Sequence, residues 1–224
     1  MTRRPLLGAL LGAAALAVTV LPAAPASAHG DQQGDVPTNT RGLSVAETGT
    51  GEEMSFVANL QYDDSGEAQN GSDVEFLKVG KKEYALAGTL RGGMQIIDIT
   101  DPEAPSVAAV YDCAVTQGDI QVWKHDRRIL ASYTADGTFG AAGAASRCGR
   151  DLELGPDASG TVIVDLTTPT SPQTVSYLAV PRGSHNMTVH PSGDYLYNSN
   201  SDLITSAEPT ITIYDISQPE QPRK

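Results

Sequence analysis

The chain has 224 residues, with 27 acidic against 15 basic residues and a net charge of −12 at pH 7. Such an acidic surface repels nucleic acid and anionic lipid, so neither is expected as a partner. Glycine (22 residues) and proline (14 residues) interrupt the chain often. This composition favours many short strands joined by turns over long helices.

The N-terminus has the layout of a cleavable signal peptide. Arg3 and Arg4 precede an uncharged apolar run, 6–21, and Ala26–Ala28 supplies a small-residue cleavage site. A membrane anchor is the alternative, but the run of about 16 residues is shorter than the roughly 20 that a span needs. We therefore expect cleavage after Ala28, a flexible segment over 29–54, and export to the medium or the cell surface with no transmembrane segment left. The paired arginines leave general secretion and twin-arginine export both open.

Three segments repeat one pattern, an apolar β-branched stretch with an aspartate near its end and then Pro-x-x-Pro. They are Met94–Pro105, Thr161–Pro172 and Ile211–Pro222. The first proline ends each strand because it cannot donate to a β-ladder. One aspartate at a fixed place in every copy suits a turn-closing hydrogen bond, so we predict a structural role for Asp98, Asp165 and Asp215.

Further strands surround each of these segments in the same order. A polar entry followed by alternating apolar residues precedes each one, beginning near Asp73, Asp119 and His185. A turn and a second strand come next, and another strand follows the first two Pro-x-x-Pro segments, so the unit has four strands, a to d. The sequence stops at Lys224, before a strand d of the third unit. Asp119 lies 46 residues after Asp73, and His185 lies 66 residues after Asp119. The excess predicts an insertion between strands b and c of the second unit, roughly 137–159.

Four-stranded units repeating at 40–50 residues are typical of a β-propeller. Strand c, with Thr161–Asp165 as its clearest copy, resembles the LVIVD repeat family over about residues 55–222. The resemblance implies an all-β propeller in a bacterial surface or secreted protein, and it implies no single chemistry. We predict about three blades of an incomplete propeller over 55–224, with Ser55–Gln61 as an additional strand d. The predicted propeller is incomplete either because the chain is a fragment of a longer protein, truncated at the C-terminus, or because several chains assemble to close it.

The two cysteines, Cys113 and Cys148, are predicted to form a disulfide. An exported chain meets oxidising surroundings, where a disulfide is the usual outcome. Cys113 follows strand d of the first unit and Cys148 lies in the insertion of the second, which places both between adjacent blades. A zinc site would need more ligands than two thiols.

Strand direction alternates within a blade, so the strand a entries and the b–c loops share one face. The candidate ligand contacts at this face are Asp73, Asp119, His185 and Asn186, with Arg91, Asp136 and Asp202 on loops beside them. The alternative for each is a turn cap or a bond between neighbouring blades. His185 is the strongest candidate because one ring nitrogen can face a ligand, and with the acids it could hold zinc or manganese. His125 and His190 are predicted to be turn residues.

Signals for catalysis are weak. The chain has no Gly-x-Ser-x-Gly elbow, no phosphate-binding glycine loop and no His-Glu-x-x-His motif. We therefore predict an exported binding scaffold for a protein, glycan or small-molecule ligand, with no catalytic residue or cofactor assigned. The alternative is a metal-dependent enzyme with its site at the mouth of the propeller channel.

Overall fold

A computed structural model describes residues 57, 58, 60, 71–90, 92–181, 183–201 and 210–224. The predicted signal peptide and the segment 29–54 lie outside the described residues, as do Arg91, Asp202 and most of the predicted strand Ser55–Gln61. The described part is all-β apart from two short helices. No helix in these ranges is long and apolar enough to cross a bilayer.

Eleven strands follow one another in the described ranges. Their bounds are β1 Gly71–Val79, β2 Lys82–Thr89, β3 Met94–Asp98, β4 Ser106–Tyr111, β5 Asp119–His125, β6 Arg128–Thr138, β7 Ser159–Asp165, β8 Gln173–Ala179, β9 Ser184–Val189, β10 Tyr195–Asn200 and β11 Ile211–Asp215. They form three antiparallel sheets, in the orders β1-β2-β3-β4, β5-β6-β7-β8 and β11-β10-β9. The predicted a-b-c-d order is thus confirmed in the first two units. In the third, Arg223 makes a single bridge to Asp215 beside β11.

The repeat extends to irregularities in the ladders. In the pairing of strands c and d, the register shifts between Ile96 and Ile97 in the first sheet and between Ile163 and Val164 in the second. In the pairing of strands a and b, one extra residue bulges from strand a, Ser72 in the first sheet and His185 in the third. A bulge redirects the side chain that it carries, so the unit repeats in detail as well as in strand order.

Apolar side chains join the sheets face to face. Leu86 of the first sheet packs in one buried cluster with Ile120 and Tyr133 of the second. Leu130 of the second sheet packs in another with Leu196 of the third. The strand a elements β1, β5 and β9 lie next to one another in sequence order, and β6 also contacts β9.

The two outward faces of this stack carry exposed apolar residues. On the first sheet Phe76 is 63% exposed, and on the third sheet Ile211 is 66% exposed. Buried Ala85 and Ala87 lie on the outward face of the first sheet, where Leu60 packs against them. These faces have the composition of surfaces that other sheets could cover.

The predicted insertion contains α1 Gly140–Ala145 and α2 Arg147–Asp151, which the sequence analysis did not predict. Cys148 on α2 is joined to Cys113, in the link between β4 and β5, by the predicted disulfide, with the Cα atoms 5.1 Å apart. Both cysteines are fully buried. The backbone N–H of Cys148 also donates to the carbonyl of Asp112 at 3.1 Å. The insertion is therefore fastened to the connection between the first two sheets.

The repeated aspartates close turns, as predicted. The carboxylates of Asp98, Asp165 and Asp215 each accept the backbone N–H two residues further on, at 3.0, 2.8 and 2.9 Å. In Asp98, the hydrogen bond from the Lys82 ammonium and the bonds from Thr100 lower the pKa from 3.8 to about 2. The folded protein therefore releases this proton more readily than the unfolded chain does. The ionised carboxylate stabilises the fold above pH 3.8, and that contribution is lost as the pH falls towards 2.

We expect Asp98→Asn to weaken the pH dependence of stability between pH 3.8 and about 2. Urea unfolding at stepped pH values measures this slope for the variant and for the unchanged protein. Asp157→Asn, which removes an exposed carboxyl from the insertion, is the matched control and should keep the original slope. Equal slopes in all three proteins would contradict the assignment.

Candidate functional site

The predicted ligand contacts lie where β1, β5 and β9 begin, and two of them join neighbouring sheets. The carboxylate of Asp73 accepts the backbone N–H of Ile120 at 2.7 Å. One unit later, the carboxylate of Asp119 accepts the backbone N–H of Met187 at 2.8 Å. Each aspartate thus binds the first strand of the following sheet, and we call this contact an inter-sheet clamp. It is the bond between neighbouring units that the sequence analysis gave as the alternative to a ligand contact.

Asn186, not His185, is the counterpart of the two clamp aspartates. Asp73, Asp119 and Asn186 pair with the equivalent strand b residues Gly88, Thr134 and Ser199. The extra residue of the β9 bulge is His185. This corrects the sequence-based spacing, which aligned His185 with the aspartates. The Asn186 amide donates to Asp119 at 3.1 Å, so it takes part in the second clamp while its side chain stays near the surface.

The bulge directs His185 towards the end of β6. Its Nδ1 lies 3.1 Å from a carboxylate oxygen of Asp136. The hydroxyl of Ser201 donates to the other oxygen of that carboxylate at 2.6 Å. The sequence analysis placed Asp136 on a loop of the same face, and the structure corrects this, because Asp136 lies near the end of β6. There it stands between the serine and the histidine. The serine has its hydroxyl on the carboxylate and not on the imidazole, which is a different arrangement from a Ser-His-Asp triad.

This pairing fixes the chemistry of the His185 ring. A carboxylate can only accept, so Nδ1 carries the proton and donates it to Asp136. In the neutral ring Nε2 is then an unprotonated acceptor, and Nε2 has no hydrogen-bond partner among the described residues. About 39% of the His185 side chain is exposed. The ring is thus held at one nitrogen and open at the other, an arrangement suited to binding a ligand or to accepting a proton.

The described residues near these strand entries include several acidic groups. Burial raises the pKa of Asp119, and the negative charges of Asp73 and Glu75 raise it further, against the lowering effect of its Met187 and Asn186 hydrogen bonds. Burial, followed by the charge of Asp73, also raises the pKa of Glu75. Among the described residues, this face therefore carries several carboxyl groups that can accept hydrogen bonds.

The structure brings all four predicted contacts to the entries of three adjacent strands. Within the described ranges, no group of three or more His, Cys, Asp or Glu side chains is placed to hold a metal ion. The sequence analysis missed Ser201, which follows β10, because its position depends on how β9 and β10 pair. The hydroxyl of Ser184, beside the bulge, is buried without a hydrogen-bond partner among the described residues.

No family model and no curated protein sequence matches the chain. Among solved structures, a thermostable family-43 glycoside hydrolase is similar with a TM-score of 0.42 and 13% sequence identity. The similarity covers 69% of this chain and 52% of that one, so the chain matches about half the length of the glycosidase.

Proposed function

We propose that the chain is an exported β-propeller protein of the LVIVD repeat type that binds a ligand at the face formed by the entries of β1, β5 and β9. The propeller is supported by sheets with one strand order, shared bulges and adjacent first strands. The exposed apolar residues of the two outward faces fit further blades packed against them. Export is supported by the N-terminal pattern and by the disulfide.

The observation that carries the binding proposal is the hydrogen bond between Asp136 and His185. Asp73 and Asp119 are already engaged between sheets. His185 instead combines a fixed ring with an accessible nitrogen, and Asn186 adds a surface amide next to it. An acidic, acceptor-rich face suits ligands that donate hydrogen bonds or carry positive charge. Hydroxyl-rich glycans and divalent cations are therefore the first ligands to test.

Replacing His185 with asparagine tests this site selectively. The asparagine amide takes the place of Nδ1 and can still donate to Asp136, whereas Nε2 is removed. The exported protein is screened against an array of neutral oligosaccharides, and by calorimetry against zinc and manganese chloride. We expect His185→Asn to weaken the observed binding about tenfold or more, which corresponds to 1.4 kcal/mol.

His125→Asn is the matched control, since it removes a histidine from the opposite end of a strand a. It should leave binding unchanged. Equal losses in the two variants, or binding of none of these probes by the unchanged protein, would reject the ligand site and leave His185 with a structural role.

A further inference from the structure

The outward face of the third sheet repeats a surface that the first sheet buries. Ile211 and Ile213 of β11 are exposed. Counted back from the repeated aspartate of strand c, they stand at the places that Met94 and Ile96 occupy in β3. Met94 and Ile96 are fully buried in the apolar cluster that joins the first two sheets. The third sheet therefore exposes the kind of side chains that the first sheet packs against its neighbour.

The outward face of the first sheet is the opposite half of the same joint. Val74 and Phe76 of β1 are exposed. Counted from the clamp aspartates, they match Ile120 and Val122 of β5, which pack in the cluster between the first two sheets. The chain thus exposes, on its two outward faces, both halves of a joint that it closes between its own sheets.

A donor and an acceptor for a third clamp also lie on these two sheets. The Asn186 amide donates to Asp119 through Nδ2 at 3.1 Å, and its Oδ1 has no hydrogen-bond partner among the described residues. Val74 has the register position that Ile120 and Met187 have in the following sheets. In those sheets, this residue gives its backbone N–H to a clamp. The Asn186 oxygen of one copy can therefore accept the Val74 N–H of another.

Leu60 covers the first sheet in the way that a strand d of a preceding unit would. It packs against Ala85. The matching residue of the second sheet is Ala131, which shares a buried cluster with Tyr111, the last residue of strand d in the first unit. In the third unit, the described residues add only the Arg223 bridge beside β11. A third sheet packed on this face would bring its open β11 edge towards Leu60.

We propose that two copies of this chain associate head to tail, with the third sheet of each packed against the first sheet of the other. The proposal rests on the propeller arrangement proposed above. With three sheets in each copy, two copies supply six, within the roughly four to eight blades of closed propellers. Contacts between unlike surfaces form a ring when the rotation closes. The assembly is therefore a dimer with two identical contacts.

Sedimentation equilibrium of the exported protein over a concentration series tests this assembly. We expect a dimer that dissociates on dilution. Ile213→Glu and Phe76→Glu each place a charge in the contact and should weaken the association about tenfold or more. Thr170→Glu is the matched control, because it adds the same charge to an exposed turn of the second sheet. The first and third units already have Glu103 and Glu220 at this place, so Thr170→Glu should leave the dimer unchanged.

Mixing the two contact variants tests the head-to-tail direction. Phe76→Glu keeps an intact third sheet and Ile213→Glu an intact first sheet. The mixture should therefore recover part of the association, through one contact that neither variant forms alone. Circular dichroism verifies that both variants keep the fold.

Three outcomes would overturn the proposal. The first is loss of the dimer in only one of the two variants, which would indicate a contact between like sheets. The second is a monomer at every concentration, which would leave these faces to other occupants, such as further blades of a longer chain. The third is growth beyond the dimer. His185→Asn should stay dimeric, so a dimer that binds no probe rejects only the ligand site, and a monomer that binds the probes rejects only the dimer.

Discussion

Reducing the Cys113–Cys148 disulfide should lower the free energy of unfolding by about 4 kcal/mol, the chain-entropy value for a closed loop of this length. The two residues are 35 apart in sequence, so the bond restricts a long stretch of the unfolded chain. It also fastens α2 to the link between the first two sheets. Urea unfolding of oxidised and reduced protein measures the difference, and mass spectrometry of unreduced peptides verifies the pairing.

The double variant Cys113→Ala, Cys148→Ala serves as the control for this experiment. It should match the reduced protein, and added reductant should not affect it further. The small side chains fit a fully buried site without introducing a polar group. Free thiols in exported protein, or equal unfolding midpoints before and after reduction, would show that the bond does not hold the fold.

Replacing Asp119 with alanine should lower the free energy of unfolding by about 3 kcal/mol. The change removes the acceptor for the backbone N–H of Met187 and for the Asn186 amide, and it leaves a buried N–H unpaired. Asp73→Ala should cost less, about 1.5 kcal/mol, because Asp73 makes one such bond and is less buried. Equilibrium urea unfolding ranks the two variants.

Asp119→Asn separates the hydrogen bonds from the charge. Its amide oxygen can still accept from Met187, so we expect a loss below about 1 kcal/mol. Burial raises the pKa of Asp119 above its ordinary value, which means that the folded state holds this proton more tightly than the unfolded chain. Its contribution to stability is therefore largest in acid and declines as the pH rises through the raised pKa. The stability of Asp119→Asn should not decline in this way with pH. If Asp119→Asn lost as much free energy of unfolding as Asp119→Ala, the clamp would be refuted.

Features that depend on residue patterns within one unit could be predicted from the sequence. The a-b-c-d order, the turn-closing role of Asp98 and its two counterparts, and the pairing of Cys113 with Cys148 all follow from patterns within one unit or from the direction of its strands. The site face was also predictable in outline, since Asp136 was placed on the same face as His185. Repetition made the predictions of the strand order and of the turn-closing aspartates firm, because three copies showed the same pattern.

Features that depend on pairing between strands could not be predicted. A bulge adds one residue without a fixed sequence signature, so the spacing could not show that Asn186, and not His185, matches Asp119. The helices α1 and α2 are six and five residues long, too short for a periodic pattern.

Both inter-sheet clamps run in the same direction along the chain, from one unit to the next, and this bears on how such a chain evolves. In both clamps the acceptor is a side chain of one unit, whereas the donor is a backbone N–H of the next. Every residue except proline offers that N–H, so the incoming unit needs no matching side chain at this point. If a unit were duplicated and joined head to tail, the clamp aspartate of the preceding unit could therefore accept its backbone N–H without any further change of sequence. The side chains around the joint would then be free to diverge, as Ile120 and Met187 already have.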